Sequence, residues 1–185
     1  MKRNIFYILS AVVLFGASCS STKTYFTPEI RTKVENSGVP LTKIQYYIDR
    51  DVELRREISK DEAKVTSGVV KFENGQYVNI ITLKKSTPGV CSGTYPDKVL
   101  VSFESGDNRF LTFGKTKYAQ QSDPYRILAF EWLKDNDGVI NYEGKKYHIL
   151  NGSSAGIMIK ANVLKKSEVN KRQMKGVSVS SATTN

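Results

Sequence analysis

The dipeptide Asn74-Gly75, set between two runs that alternate apolar and polar residues, constrains this chain more than any other feature. A two-residue turn with left-handed φ at both positions has the twist that joins antiparallel strands, and asparagine followed by glycine tolerates it best. Gly68 to Glu73 and Gln76 to Leu83 are therefore expected to pair as strands. The period of two continues on either side. Ile44, Tyr46 and Ile48 alternate, as do Val52 and Leu54, with Asp49-Arg50-Asp51 as the turn between them. Ser86-Thr87-Pro88-Gly89 makes another turn, and Val99 to Phe103 and Phe110 to Phe113 are strands joined through Ser105-Gly106-Asp107-Asn108. Tyr125 to Trp132, Val139 to Tyr142, Lys146 to Leu150 and Ile157 to Ala161 complete the set. About ten short antiparallel strands at this spacing imply an all-β fold, either a small barrel or a sandwich. One short helix precedes them. Thr27-Pro28-Glu29 supplies a cap, a first-turn proline and an acidic residue near the positive helix end, Ile30 and Val34 share a face, and Asn36-Ser37-Gly38 stops it.

Two blocks recur in the same order. Gly68-Val69-Val70-Lys71-Phe72-Glu73 matches Gly138-Val139-Ile140-Asn141-Tyr142-Glu143, and Ser86-Thr87-Pro88-Gly89-Val90 matches Ser153-Ser154-Ala155-Gly156-Ile157. A unit of strand, hairpin, turn and strand of this size resembles half of an SH3-like barrel. The two matched blocks suggest a duplication with units near 44–113 and 125–161, although shared turn chemistry alone produces the same match. In this alignment Cys91 falls opposite Met158, which reads as a core position.

The beginning of the chain has a different grammar. Lys2 and Arg3 precede an apolar run from Ile5 to Ala17, and Gly16-Ala17-Ser18 leads into Cys19. A basic start, an apolar core and small residues make an export signal. The run is too short for a bilayer span, which needs roughly 20 residues. Small residues directly before a cysteine resemble the lipobox of bacterial lipoproteins, here in a loose form with Gly16 in place of the usual leucine. The resemblance covers about a tenth of the chain. It implies removal of residues 1–18, lipidation at Cys19 and a membrane partner through that lipid. Ser20, where an aspartate would favour the inner membrane, implies the outer membrane, and the neutral-to-basic residues after it imply its periplasmic face. Residues 19–26 are then a tether, 27–164 a β-rich domain, and 165–185 a basic, polar tail expected to be disordered.

Charge narrows the partners. The formal net charge is +10, and its excess lies late in the chain, where Lys160, Lys165, Lys166, Lys171, Arg172 and Lys175 face Glu168 alone. A basic chain invites a nucleic-acid reading, which export argues against. An anionic envelope polymer or a protein partner is the expectation that remains, beside a merely solvated tail.

Candidate chemistry is sparse. Apart from Cys19, the chain has one cysteine, Cys91, and one histidine, His148. Val90-Cys91-Ser92-Gly93 resembles the Asp-Cys-Ser-Gly core of the NlpC/P60 cell-wall peptidases, which implies a cysteine hydrolase with Cys91 as nucleophile and His148 as base. Valine replaces the aspartate, and a strand stands where that family starts a helix. A buried structural cysteine is the alternative. Asp135-Asn136-Asp137-Gly138 has part of a calcium-loop pattern without its distal glutamate, and fits a turn feeding the strand at Val139. No metal or cofactor is expected. On a strand, Arg55 and Arg56 must face opposite sides, with Arg56 sharing the side of Val52 and Leu54 and so turned inward and paired, or else at a sheet edge. The 10 tyrosines are expected to pack in the core or on sheet faces, or to line a sugar or peptide groove with arginines. The reading that follows is a non-catalytic binding or structural module at the cell envelope, with the cysteine hydrolase as its alternative.

Overall fold

In the computed structural model the described residues are 22–66, 68–134 and 137–169. The expected signal segment, Cys19 and the expected tail beyond residue 169 lie outside them. Thirteen strands among the described residues form two antiparallel sheets packed face to face, sandwich-like and not closed into a barrel. Of the two expected architectures the sandwich therefore holds and the barrel, with its SH3-like reading, does not, while the all-β class stands.

The first sheet runs, in spatial order, β1 (Lys23–Tyr25), β13 (Ile157–Lys160), β2 (Gln45–Ile48), β6 (Pro88–Thr94), β7 (Lys98–Ser102), β8 (Leu111–Gly114) and β9 (Arg126–Ile127). The second runs β10 (Glu131–Trp132), β11 (Gly138–Tyr142), β12 (Lys145–Asn151), β3 (Val52–Ile58), β5 (Gln76–Leu83) and β4 (Val69–Glu73). One contiguous core fills the space between them, with Tyr46, Ile48, Phe113, Ile127, Tyr147 and Ile157 all essentially inaccessible. Burial of each such side chain contributes about 1.5–3 kcal/mol.

Local chemistry explains most of these elements. Helix α1 (Pro28–Asn36) begins where the Thr27 hydroxyl accepts the Ile30 N–H at 3.1 Å, and ends at Ser37 and Gly38, the latter at φ +73°. Asn74 (φ +48°) and Gly75 (φ +83°) form the tight β4–β5 turn, and Glu143 (φ +55°) with Gly144 (φ +72°) forms its counterpart between β11 and β12. Two further helices were not anticipated: α2 (Lys60–Ala63), capped by the Ser59 hydroxyl, and α3 (Asn162–Val169).

Several boundaries differ from expectation. Within 19–26, expected as a tether, Lys23–Tyr25 pairs with β13 and Phe26 is fully buried. The expected tail begins inside α3, so residues 165–169 are helical. The turn at Ser86 is tighter than Ser86–Gly89, since Pro88 and Gly89 already belong to β6 and face Tyr47 and Tyr46. Tyr125 to Trp132 is not one strand: β9 pairs with β8 in the first sheet, and β10 pairs with β11 in the second. Chain reversal between sheets leaves no signature in an apolar run.

The matched blocks occupy comparable places. The hairpins β4–β5 and β11–β12 put β5 and β12 on the two sides of β3, and their continuations β6 and β13 lie on the two sides of β2. The residue match is nonetheless out of phase. Val90 is exposed where Ile157 is fully buried, and Cys91 is buried where Met158 is only half-buried.

Candidate functional site

The pleat of β3 separates its two arginines. Arg56 shares the inward side with Val52 and Leu54, and its guanidinium grips Glu62 of α2 at 2.6 and 3.1 Å. Lys145 reaches the same carboxylate at 2.9 Å, and the Tyr147 ring lies 5.4 Å from the guanidinium carbon. The Arg56 and Lys145 hydrogen bonds hold the Glu62 carboxyl at about 2, well below the usual range. Both terminal nitrogens of Arg56 are thus engaged, while its Nε, like that of Arg55, is buried without an acceptor.

Arg55 has the opposite fate. It points away from the first sheet and stands directly opposite His148 on β12 in the strand register. Directly opposed residues on neighbouring strands share a face, with Cβ atoms about 4.5–5.5 Å apart. Lys146 and Leu150, each two residues from His148, fall on that face too. Lys134, from the segment between β10 and β11, completes an open groove of about 740 Å³, whose lining also includes Glu57, Asp137 and Ser153. Among the described residues Arg55, Lys134 and Lys146 have no acidic partner. The Arg55 Nε is buried and unmatched by any acceptor. Lys146 holds its ammonium 5.5 Å from the ring of the half-exposed Phe130. The groove is thus a polar, predominantly basic cleft on an otherwise ordinary sheet face.

His148 lies in this groove and not beside Cys91. Its Nδ1–H donates to the Asp137 carboxylate at 2.9 Å, which orients the ring. Cys91 belongs to the other sheet, packs in the core and donates its thiol to the Gly93 carbonyl at 3.2 Å. Burial raises its pKa. The structure therefore does not bring together the two residues that the hydrolase alternative pairs. Asp137 belongs to the connection between β10 and β11, whose ends are tied by Leu133 N–H to Asp137 O at 2.8 Å, and Gly138 opens β11. Among the described residues no cluster of metal-ligating side chains exists, while Asp135 and Asn136 lie outside them.

The described tyrosines divide between core and surface, with Tyr25, Tyr95 and Tyr118 exposed. Tyr46, Tyr125 and Tyr147 are almost wholly buried, and none of the groove lining is tyrosine. Sequence reasoning placed Arg55 and Arg56 on opposite faces but missed the groove. Its cations come from β3, β12 and the β10–β11 connection, and only the strand order β11-β12-β3 makes them neighbours. Compared with known proteins, the chain matches no family model, no curated protein and no solved structure.

Proposed function

We propose that this chain is a lipid-anchored cell-envelope protein, a non-catalytic binding module whose ligand docks in the groove beside Arg55. The observation that carries the binding reading is the convergence of Arg55, Lys134 and Lys146 without acidic partners in one open cleft. A partly desolvated cation without a counter-ion costs stability unless something completes it. The buried thiol of Cys91, with its raised pKa, supports the non-catalytic side of the reading, because the thiolate is the nucleophile. The small residues before Cys19, and Ser20 after it, support anchoring at the outer membrane on its periplasmic face. Three acyl chains at about 0.8 kcal/mol per buried methylene would make that attachment permanent. Among the described residues no helix is long and apolar enough to cross a membrane.

Two measurements test this. Expressed in full, the wild-type chain should stay with membranes through a carbonate wash, and Cys19→Ala should be released or left unprocessed. Retention of the variant equal to wild type refutes the anchor. Delipidated envelope material should retain the detergent-solubilised wild-type chain and lose most of Arg55→Ala. Equal retention of both refutes the groove as the docking site.

A further inference from the structure

The groove mixes two chemistries, and together they narrow its ligand. Arg55 and His148 face each other in direct register, with Lys146 farther along the same face and Lys134 completing the lining. Three cations, Arg55, Lys134 and Lys146, converge here without acidic partners among the described residues, and the Arg55 Nε is buried without an acceptor. An anionic group seated among them offsets both. A bare anion does not account for Asp137 and Glu57, which line the same cleft and repel it. Ionised carboxylates only accept hydrogen bonds, and hydroxyl groups donate them. Cations interleaved with carboxylates therefore match a ligand that carries acids and hydroxyls on one framework. The volume of about 740 Å³ suits a ligand larger than one phosphate. A bilayer-docking surface needs a broad exposed apolar face, and here the one exposed large apolar side chain in the lining is Leu150.

We infer that the groove binds an acidic saccharide, with Arg55, Lys146 and Lys134 holding its carboxylate or phosphate groups and Asp137 and Glu57 receiving its hydroxyls. This rests on the groove being the docking site proposed above. The test is calorimetric titration of the full-length chain in detergent with four probes: oligogalacturonate, a neutral maltooligosaccharide of equal length, inorganic phosphate, and glycerophosphoglycerol as a lipid head group. Oligogalacturonate should bind best, with affinity falling as salt rises. The neutral oligosaccharide should bind at least about tenfold more weakly, as should Arg55→Ala with oligogalacturonate. Lys98→Ala, on the other sheet, should leave binding unchanged. If Arg55→Ala does not fold, the Lys134→Ala/Lys146→Ala double variant should show a loss of the same order. Equal binding of the neutral oligosaccharide, or unchanged affinity in the groove variants, overturns the inference. Phosphate or glycerophosphoglycerol binding as tightly as oligogalacturonate overturns it in favour of a simple anion or a lipid. Loss of the saccharide interaction with groove-dependent retention on envelope material intact removes the ligand class alone, whereas loss of both removes the docking site as well.

Discussion

Arg55 and Arg56 show how much one peptide unit decides. Adjacent on a strand, they are sent to opposite faces, one into an open groove and the other onto Glu62. Arg56 and Lys145 together depress the Glu62 carboxyl to about 2 against an ordinary value of about 4.3. A group whose folded pKa lies below its unfolded one contributes stability above the unfolded value, and that contribution drains away as pH falls toward the folded value. Glu62→Gln should therefore be less stable than wild type at neutral pH, and the gap between their melting temperatures should close between about pH 4.3 and pH 2. A gap that persists undiminished at pH 2 would show that the ion cluster is not its source. Cys91 makes the contrasting case, a thiol held in the core with its pKa raised by burial. It should resist alkylation in the folded protein at neutral pH and react only on unfolding. Cys91→Ala should cost about 1–2 kcal/mol in chemical denaturation, the loss expected of a small buried side chain. Rapid labelling of the native protein would contradict this account.

At the scale of elements, the turns carry the clearest information. Asn74-Gly75 was legible because its two left-handed residues permit few alternatives. Gly75→Val should destabilise the protein by about 1–3 kcal/mol, since a β-branched side chain resists that backbone region. Gly152 offers a sharper comparison. It too has a left-handed φ, +82°, but an added Cβ would lie 2.3 Å from the Asp51 carbonyl oxygen, whereas at Gly75 nothing lies within 4 Å. Gly152→Ala should therefore lower the denaturation midpoint more than Gly75→Ala. Equal shifts would mean that backbone strain alone governs both sites. Other elements left weaker marks. The strand β1 consists of three residues, Lys-Thr-Tyr, with no alternation to read, and exists because β13 supplies its hydrogen bonds. The short β9 and β10 read as one run, because consecutive apolar and aromatic residues give no sign of where a chain leaves one sheet for the other.

For the whole molecule, both sheets contribute to one contiguous core, from Ile48 and Phe113 on one side to Leu54 and Tyr147 on the other. A shared core should make unfolding a single cooperative event, so far-ultraviolet and near-ultraviolet circular dichroism should report the same transition. Separate transitions would indicate that the sheets form independent units. By itself the sequence determined the β class, the hairpins, the capped first helix and the opposite facing of Arg55 and Arg56, because strand alternation, turns and caps are governed by neighbours along the chain. Only the tertiary structure decided the two-sheet arrangement, the distance in fold between Cys91 and His148, and the groove. The groove depends on β3 lying beside β12, and β12 beside β11. The second pairing is a local hairpin, but the first sets Arg55 opposite His148 from far along the chain, and is settled by which apolar faces bury together, a property of the assembled core that no local window of residues contains.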